Sequence, residues 1–241
     1  MVSLKMIVRL GLLWVFLVVG PAVMQAQYTC TTNSGQITIA KYTGPGGAVT
    51  LTNTIDGYPV TRIGNGAFSN CFTLSSIATP NCLTNVGTFA FSRCTNLMEV
   101  YFQGNVTNLG NGAFSNCTSL TTVYFQGNRP TLGTNVFSGD NNANVYYLPG
   151  TTNWTNPWGG VPTVLWNPHT QNDATFGVRT NRFGFTITGS TNLVIVTEAC
   201  TNLANSVWST LGTNTLTGGS SYFSDPWWTS YPYRFYRFRS P

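Results

Sequence analysis

The stretch Ile63-Gly64-Asn65-Gly66-Ala67-Phe68 returns 23 residues later as Val86-Gly87-Thr88-Phe89-Ala90-Phe91. It comes back as Leu109-Gly110-Asn111-Gly112-Ala113-Phe114, and a fourth time as Leu132-Gly133-Thr134-Asn135-Val136-Phe137. Three residues after each Phe stand Cys71, Cys94 and Cys117, with Asp140 in the last copy. A second block keeps the same period: Leu74-x-x-Ile77-x-Thr79-x-x-Cys82, Leu97-x-x-Val100-x-Phe102-x-x-Asn105 and Leu120-x-x-Val123-x-Phe125-x-x-Asn128. A fixed period of this length marks a solenoid, whose coils cannot bury their apolar faces alone and do so against one another. The alternating apolar residues of each short strand point inward. The Asn or Cys eight positions after the Leu sits where the chain turns and can satisfy inward-facing backbone groups. The Gly and Ala-Phe block carries the chain back along the opposite side, each Phe filling the same core layer as its counterpart in the next coil.

The Ile-Gly-x-x-Ala-Phe-x-x-Cys-x-x-Leu-x-x-Ile/Val pattern resembles the BspA-type leucine-rich repeat of bacterial surface proteins. Residues 37–51 and 55–64 are similar to the strand-rich cap that precedes such arrays. The resemblance spans residues 28–150 and implies a solenoid used for adhesion or protein binding. The fourth copy departs from the pattern, with Ala143 for Leu and Thr151 for Asn, as a terminal capping repeat should.

The composition agrees with a mainly β chain. Only 7% of the 241 residues are charged against 42% hydrophobic. The abundance of Asn, Thr, Ser and Gly favours short strands and turns over helices held by ion pairs. The chain begins with basic Lys5 and Arg9, an apolar run from Leu10 to Val19, the helix breakers Gly20 and Pro21, and Met24-Gln25-Ala26. This reads as a secretory signal cleaved after Ala26. The apolar stretch Leu10 to Met24 is 15 residues long, short of the ~20 a membrane span needs. Without the leader, 9 basic residues face 6 acidic ones, too small an excess to mark a nucleic-acid partner.

We expect a signal peptide at 1–26, an N-terminal β cap at 27–62, four repeats at 63–150, an end cap and linker at 151–173 and a C-terminal module at 174–241. In the last, apolar runs separated by Gly, Asn, Ser and Asp (176–179, 183–188, 193–198, 207–211, 221–223 and 233–239) predict a small antiparallel β-sandwich. Phe183-Gly184-Phe185-Thr186-Ile187-Thr188-Gly189 and Tyr233-Arg234-Phe235-Tyr236-Arg237-Phe238-Arg239 resemble a recurrent C-terminal module of secreted, repeat-bearing bacterial proteins. That resemblance implies a structural, sorting or accessory binding role.

Three features are candidates for chemistry. Cys71, Cys94 and Cys117 stack at the ~4.8 Å strand spacing, within disulfide range. An odd set in a core column reads best as three buried thiols, and a Cys30–Cys200 bridge stays open in an exported chain. No His or carboxylate recurs in phase with them as a zinc site requires. If Ile77, Val100 and Val123 point inward, the residues between inward positions face solvent: Ala78, Tyr101, Tyr124 and, in the last copy, Tyr147. Ser76, Glu99 and Thr122 flank this ladder on one side, and Gln103 and Gln126 on the other. The ladder is either a contact surface for an extracellular protein or a set of rings that stabilise one another across strands. Trp227 and Trp228 are candidate stacking residues for a surface glycan. The acidic residues Asp56, Glu99, Asp140, Asp173, Glu198 and Asp225 are scattered, and His169 stands alone. With no phosphate loop, nucleophile elbow or metal spacing, we expect a binding protein without catalysis, cofactor or metal.

Overall fold

The computed structural model describes residues 27–205 and 207–239. The expected signal segment and its cleavage point lie outside the described residues. The chain divides into two units between Leu165 and Trp166.

The first unit is the solenoid. One long face is a parallel sheet of six strands, in spatial order Gly47–Thr50, Leu74–Ala78, Glu99–Phe102, Thr122–Phe125, Asn144–Tyr147 and Thr163–Leu165. The return side is a second sheet. Tyr28–Asn33 pairs antiparallel with Gln36–Tyr42, after which Tyr58–Ile63, Asn85–Val86, Asn108–Leu109 and Thr131–Leu132 follow in parallel. Between the sheets Ile77, Val100, Val123 and Val145 stand in one buried column and Phe102 and Phe125 in the next. These are β-branched and aromatic residues that suit a pleated, one-sided surface.

The Ala-Phe block forms a second spine. Tyr42 stacks on Phe68 at 4.9 Å, Phe68 on Phe91 at 5.0 Å, Phe91 on Phe114 at 5.1 Å and Phe114 on Phe137 at 5.6 Å. Each buried Phe is worth ~1.5–3 kcal/mol of burial, and each stacked pair adds about 0.5–1.5 kcal/mol. The glycines beside the spine are dictated by close approach. A Cβ on Gly110 would lie 2.6 Å from the carbonyl carbon of Gly87, and one on Gly87 would lie 2.7 Å from that of Gly64. The bend three residues after each coil's first apolar position needs a left-handed residue: Gly66, Gly112 and Asn135 supply it, while Phe89 adopts φ 54° there and stays half exposed.

The array runs beyond the four copies that the spacing marks. Before them, Tyr42 substitutes for Phe in the spine and Gly47–Thr50 adds a strand. After them, Trp158 packs against Phe125 at 5.5 Å and Phe137 at 6.0 Å. Buried Val161 and the strand Thr163–Leu165 then complete the stack within the stretch read as end cap and linker. These flanking coils keep the strand and core layer but replace the Ala-Phe sequence, so they do not repeat visibly.

The second unit holds two antiparallel sheets. In one, Arg182–Thr188 pairs with His169–Thr170, Gly177–Arg179 and Ser220–Asp225. In the other, Val194–Cys200 lies between Ser209–Thr215 and Phe235–Arg239. Each of the six apolar runs overlaps one of these strands, and His169–Thr170 adds a short one. The sheets meet through aromatic rings: Phe183 stacks on Tyr236 at 5.3 Å, and Phe185 approaches Phe238 at 6.0 Å. Two buried carboxylates are neutralised. Glu198 accepts from Arg237 and Arg239 at 2.7 and 2.8 Å, and Asp225 from Arg234 at 2.5 Å.

Candidate functional site

The parallel register decides which side chains form the outward ladder. Tyr101 pairs with Ala78 and Tyr124, and Tyr124 with Tyr146. The rings of Tyr101 and Tyr124 are 4.9 Å apart and nearly parallel, and Tyr124 and Tyr146 are 5.1 Å apart. Tyr147, expected in this ladder, instead lies opposite Phe125 on the other strand face and stacks on Trp154 at 5.1 Å. The cause is a one-residue shortening of the last coil. Thr121 N–H bonds the Met98 carbonyl, but the next bond to Thr121 O comes from Asn144, which already pairs with Thr122. Matching Asn144-Val145-Tyr146-Tyr147 directly to Thr122-Val123-Tyr124-Phe125, instead of counting 23, finds Tyr146 in the sequence.

A second expectation also changes. Tyr101 and Tyr124, read as solvent-facing, are 5% and 3% exposed. Stacking covers the ring faces, and the Tyr124 hydroxyl oxygen at the ring tip is buried as well. The Tyr101 hydroxyl donates to Glu99 Oε2 at 2.7 Å, which fixes the carboxylate two residues back along the strand. Thr122 is buried too, its hydroxyl 3.4 Å from Thr121 Oγ1. Glu99 is half-buried, Gln103 exposed and Gln126 half-buried. The stripe is therefore an aromatic floor with polar groups along its edge.

Asparagine and thiol ladders hold the coils in register. Asn105 Oδ1 accepts the Asn128 N–H at 3.2 Å, and Asn128 Oδ1 the Thr152 N–H at 3.0 Å. The Cys94 thiol donates to the Phe68 carbonyl and the Cys117 thiol to that of Phe91, both at 3.0 Å. All six cysteines are free. Cys94 and Cys117 are buried, as a core column requires, whereas Cys71 at its outer end is half-buried, and burial pushes its thiol up to about 11. The adjacent Cys94 thiol and burial likewise hold Cys117 protonated. Cys30 and Cys200 belong to different units.

Asp140 ends the column. It is 1% exposed, and neither carboxylate oxygen has a hydrogen-bond partner. Burial raises its pKa to about 7, and the Cys117 N–H, already bonded to the Phe114 carbonyl, offsets little of this.

The two candidate tryptophans lie in the second unit. Trp227 is 67% exposed. Trp228 is half-buried, with its indole N–H donating to the Asn181 carbonyl at 3.3 Å. Among the described residues no group of three or more His, Cys, Asp or Glu side chains is placed to hold a metal ion. No helix among them is long and apolar enough to cross a membrane.

Residues 48–155 match the BspA type leucine rich repeat region in six copies, and this stretch is such an array. Among solved structures, a leucine rich repeat protein of T. pallidum is 23% identical, with a TM-score of 0.45, covering 50% of this chain and 69% of that one. A leucine-rich repeat protein from Bacteroides capillosus is 24% identical, with a TM-score of 0.44, covering 50% and 94%. A leucine rich cell surface protein from Faecalibacterium prausnitzii is 21% identical, with a TM-score of 0.40, covering 58% and 45%. No curated protein matches the chain.

Proposed function

We propose that this chain, whose residues 48–155 form a BspA-type leucine-rich repeat array, is an exported, non-catalytic binding protein that recognises an extracellular protein at the bacterial cell surface. The observation that carries this reading is the in-register stripe on the outward face of the parallel sheet. Tyr101, Tyr124 and Tyr146 form a stiff floor, and the Tyr101 hydroxyl holds Glu99 at 2.7 Å as a ready-made acceptor. Groups held in place before contact lose little entropy on binding, so a rigid stripe recognises a partner better than the same side chains on a mobile loop. Export rests on the leader with Lys5, Arg9, its apolar run and Ala26.

The test leaves the buried rings alone and changes the polar edge. A Glu99→Lys/Gln103→Lys/Gln126→Lys variant is compared with the wild type for capture of proteins from extracellular and surface fractions. We expect a specific partner to be lost, by about tenfold or more in affinity, with the array still folded and its stability lowered only by the lost Tyr101–Glu99 hydrogen bond, about 1–3 kcal/mol. Equal capture of that partner by both proteins removes recognition from the sheet face.

A further inference from the structure

The loop between Asp225 and Arg234 carries three exposed aromatic residues: Trp227 at 67%, Tyr231 at 40% and Tyr233 at 57% exposure. This loop is clamped at both ends by one buried carboxylate. Asp225, 1% exposed, accepts the Trp227 N–H through Oδ1 at 2.9 Å. Its Oδ2 takes the Arg234 guanidinium at 2.5 Å and the Tyr236 hydroxyl at 3.1 Å. Arg234 in turn lies 4.2 Å under the Tyr231 ring. A buried, fully used ion pair thus spends its charge on holding apolar ring faces in water.

Next to the loop stands a second unusual feature. Arg179 and Arg182 pair directly across a tight turn made by Thr180 and Asn181, both with positive φ. The Trp228 indole bonds the Asn181 carbonyl, which fixes the loop beside this turn. Both arginines are exposed. Like charges directly opposite on paired strands repel. Asp173 feels Arg179 but makes no ion pair with it, and among the described residues the ion pairs are all made by Arg234, Arg237 and Arg239. An anion between the two guanidinium groups would relieve the repulsion.

We propose that this surface binds an acidic polysaccharide. Trp227 stacks on a sugar ring, and Arg179 and Arg182 meet the carboxylates or sulfates that recur along the chain. Aromatic faces flanked by hydroxyl-tipped Tyr231 and Tyr233 suit a sugar, whose C–H face is apolar and whose rim is polar. Two exposed arginines are too few for the phosphate-dominated attraction that a nucleic acid needs. The proposal is independent of the solenoid's role.

The test is native affinity electrophoresis of the full chain in gels containing polygalacturonate or chondroitin sulfate, with methyl-esterified polygalacturonate and oligo(dT) run in parallel. Retardation by at least one of the two polyanions is expected. It should weaken about tenfold or more in Trp227→Ala and in Arg179→Gln/Arg182→Gln, and methyl esterification should abolish retardation by polygalacturonate. Because all three residues are exposed, their variants keep the wild-type unfolding midpoint. No retardation by either polyanion overturns the proposal, as does undiminished retardation of Trp227→Ala or retardation by oligo(dT) at equal strength. So does an equal loss in Arg93→Gln/Arg129→Gln, which changes two exposed arginines of the array and would reveal unspecific charge attraction.

Discussion

Asp140 takes the place of a thiol one coil after Cys117, and the exchange leaves a buried carboxylate where Cys117 makes a hydrogen bond to the Phe91 carbonyl. Its pKa is raised to about 7 by burial, above that of an aspartate in an unfolded chain, ~3.9. Between these values the folded protein holds a proton that the unfolded chain has released. The stabilising contribution is therefore complete below about pH 4 and is lost as pH rises to about 7. Thermal unfolding should show the array more stable at pH 5 than at pH 8. Asp140→Cys should gain ~1–3 kcal/mol at pH 8 by removing an unpaired buried group, and should flatten the pH profile. An equal pH dependence in both proteins would assign it to other groups.

Phe114 sits in mid-spine, stacked on Phe91 at 5.1 Å and Phe137 at 5.6 Å and meeting Phe102 edge-on at 6.2 Å. Truncation removes contacts to coils on both sides. Phe114→Ala should cost ~3–5 kcal/mol in denaturant titration. Because each coil contacts its neighbours alone, the loss should also split the unfolding transition into steps.

Thr79 occupies the inward position that Phe102 and Phe125 fill in the following coils, is 1% exposed, and has no partner for its hydroxyl. Valine has the same shape without the polar atom. Thr79→Val should raise stability by about 1 kcal/mol, and a loss on chemical denaturation would mean that the hydroxyl is satisfied in solution.

Tyr146 and Tyr147 are sequence neighbours with opposite roles. Tyr147→Ser removes the ring stacked on Trp154 and should cost about 1–2 kcal/mol. Tyr146→Phe keeps the ring contact with Tyr124 and should cost less than Tyr147→Ser. Unchanged stability in Tyr147→Ser on denaturant titration would remove the Trp154 contact from what holds the last coil.

The division of labour between sequence and tertiary structure follows from range. Periodicity was enough to read the solenoid, because coils of equal length must place like residues over like. Gly110 against Gly87, Phe114 against Phe91 and Cys117 against Cys94 are all consequences of one repeat length. The same reasoning found the apolar runs that become strands in the second unit, since alternation is local. It failed where the period broke: the shortened last coil moved Tyr146 into the ladder, and the flanking coils around Tyr42 and Trp158 kept the packing without the letters. Burial of Tyr101 and Tyr124 was also illegible, because alternation says which way a side chain points and not what lies against it. Only the fold could bring Arg234 and Tyr236 onto Asp225 and set the Trp227–Tyr233 loop beside Arg179 and Arg182. Those contacts join residues that share no repeat, and their spacing in the chain carries no trace of them.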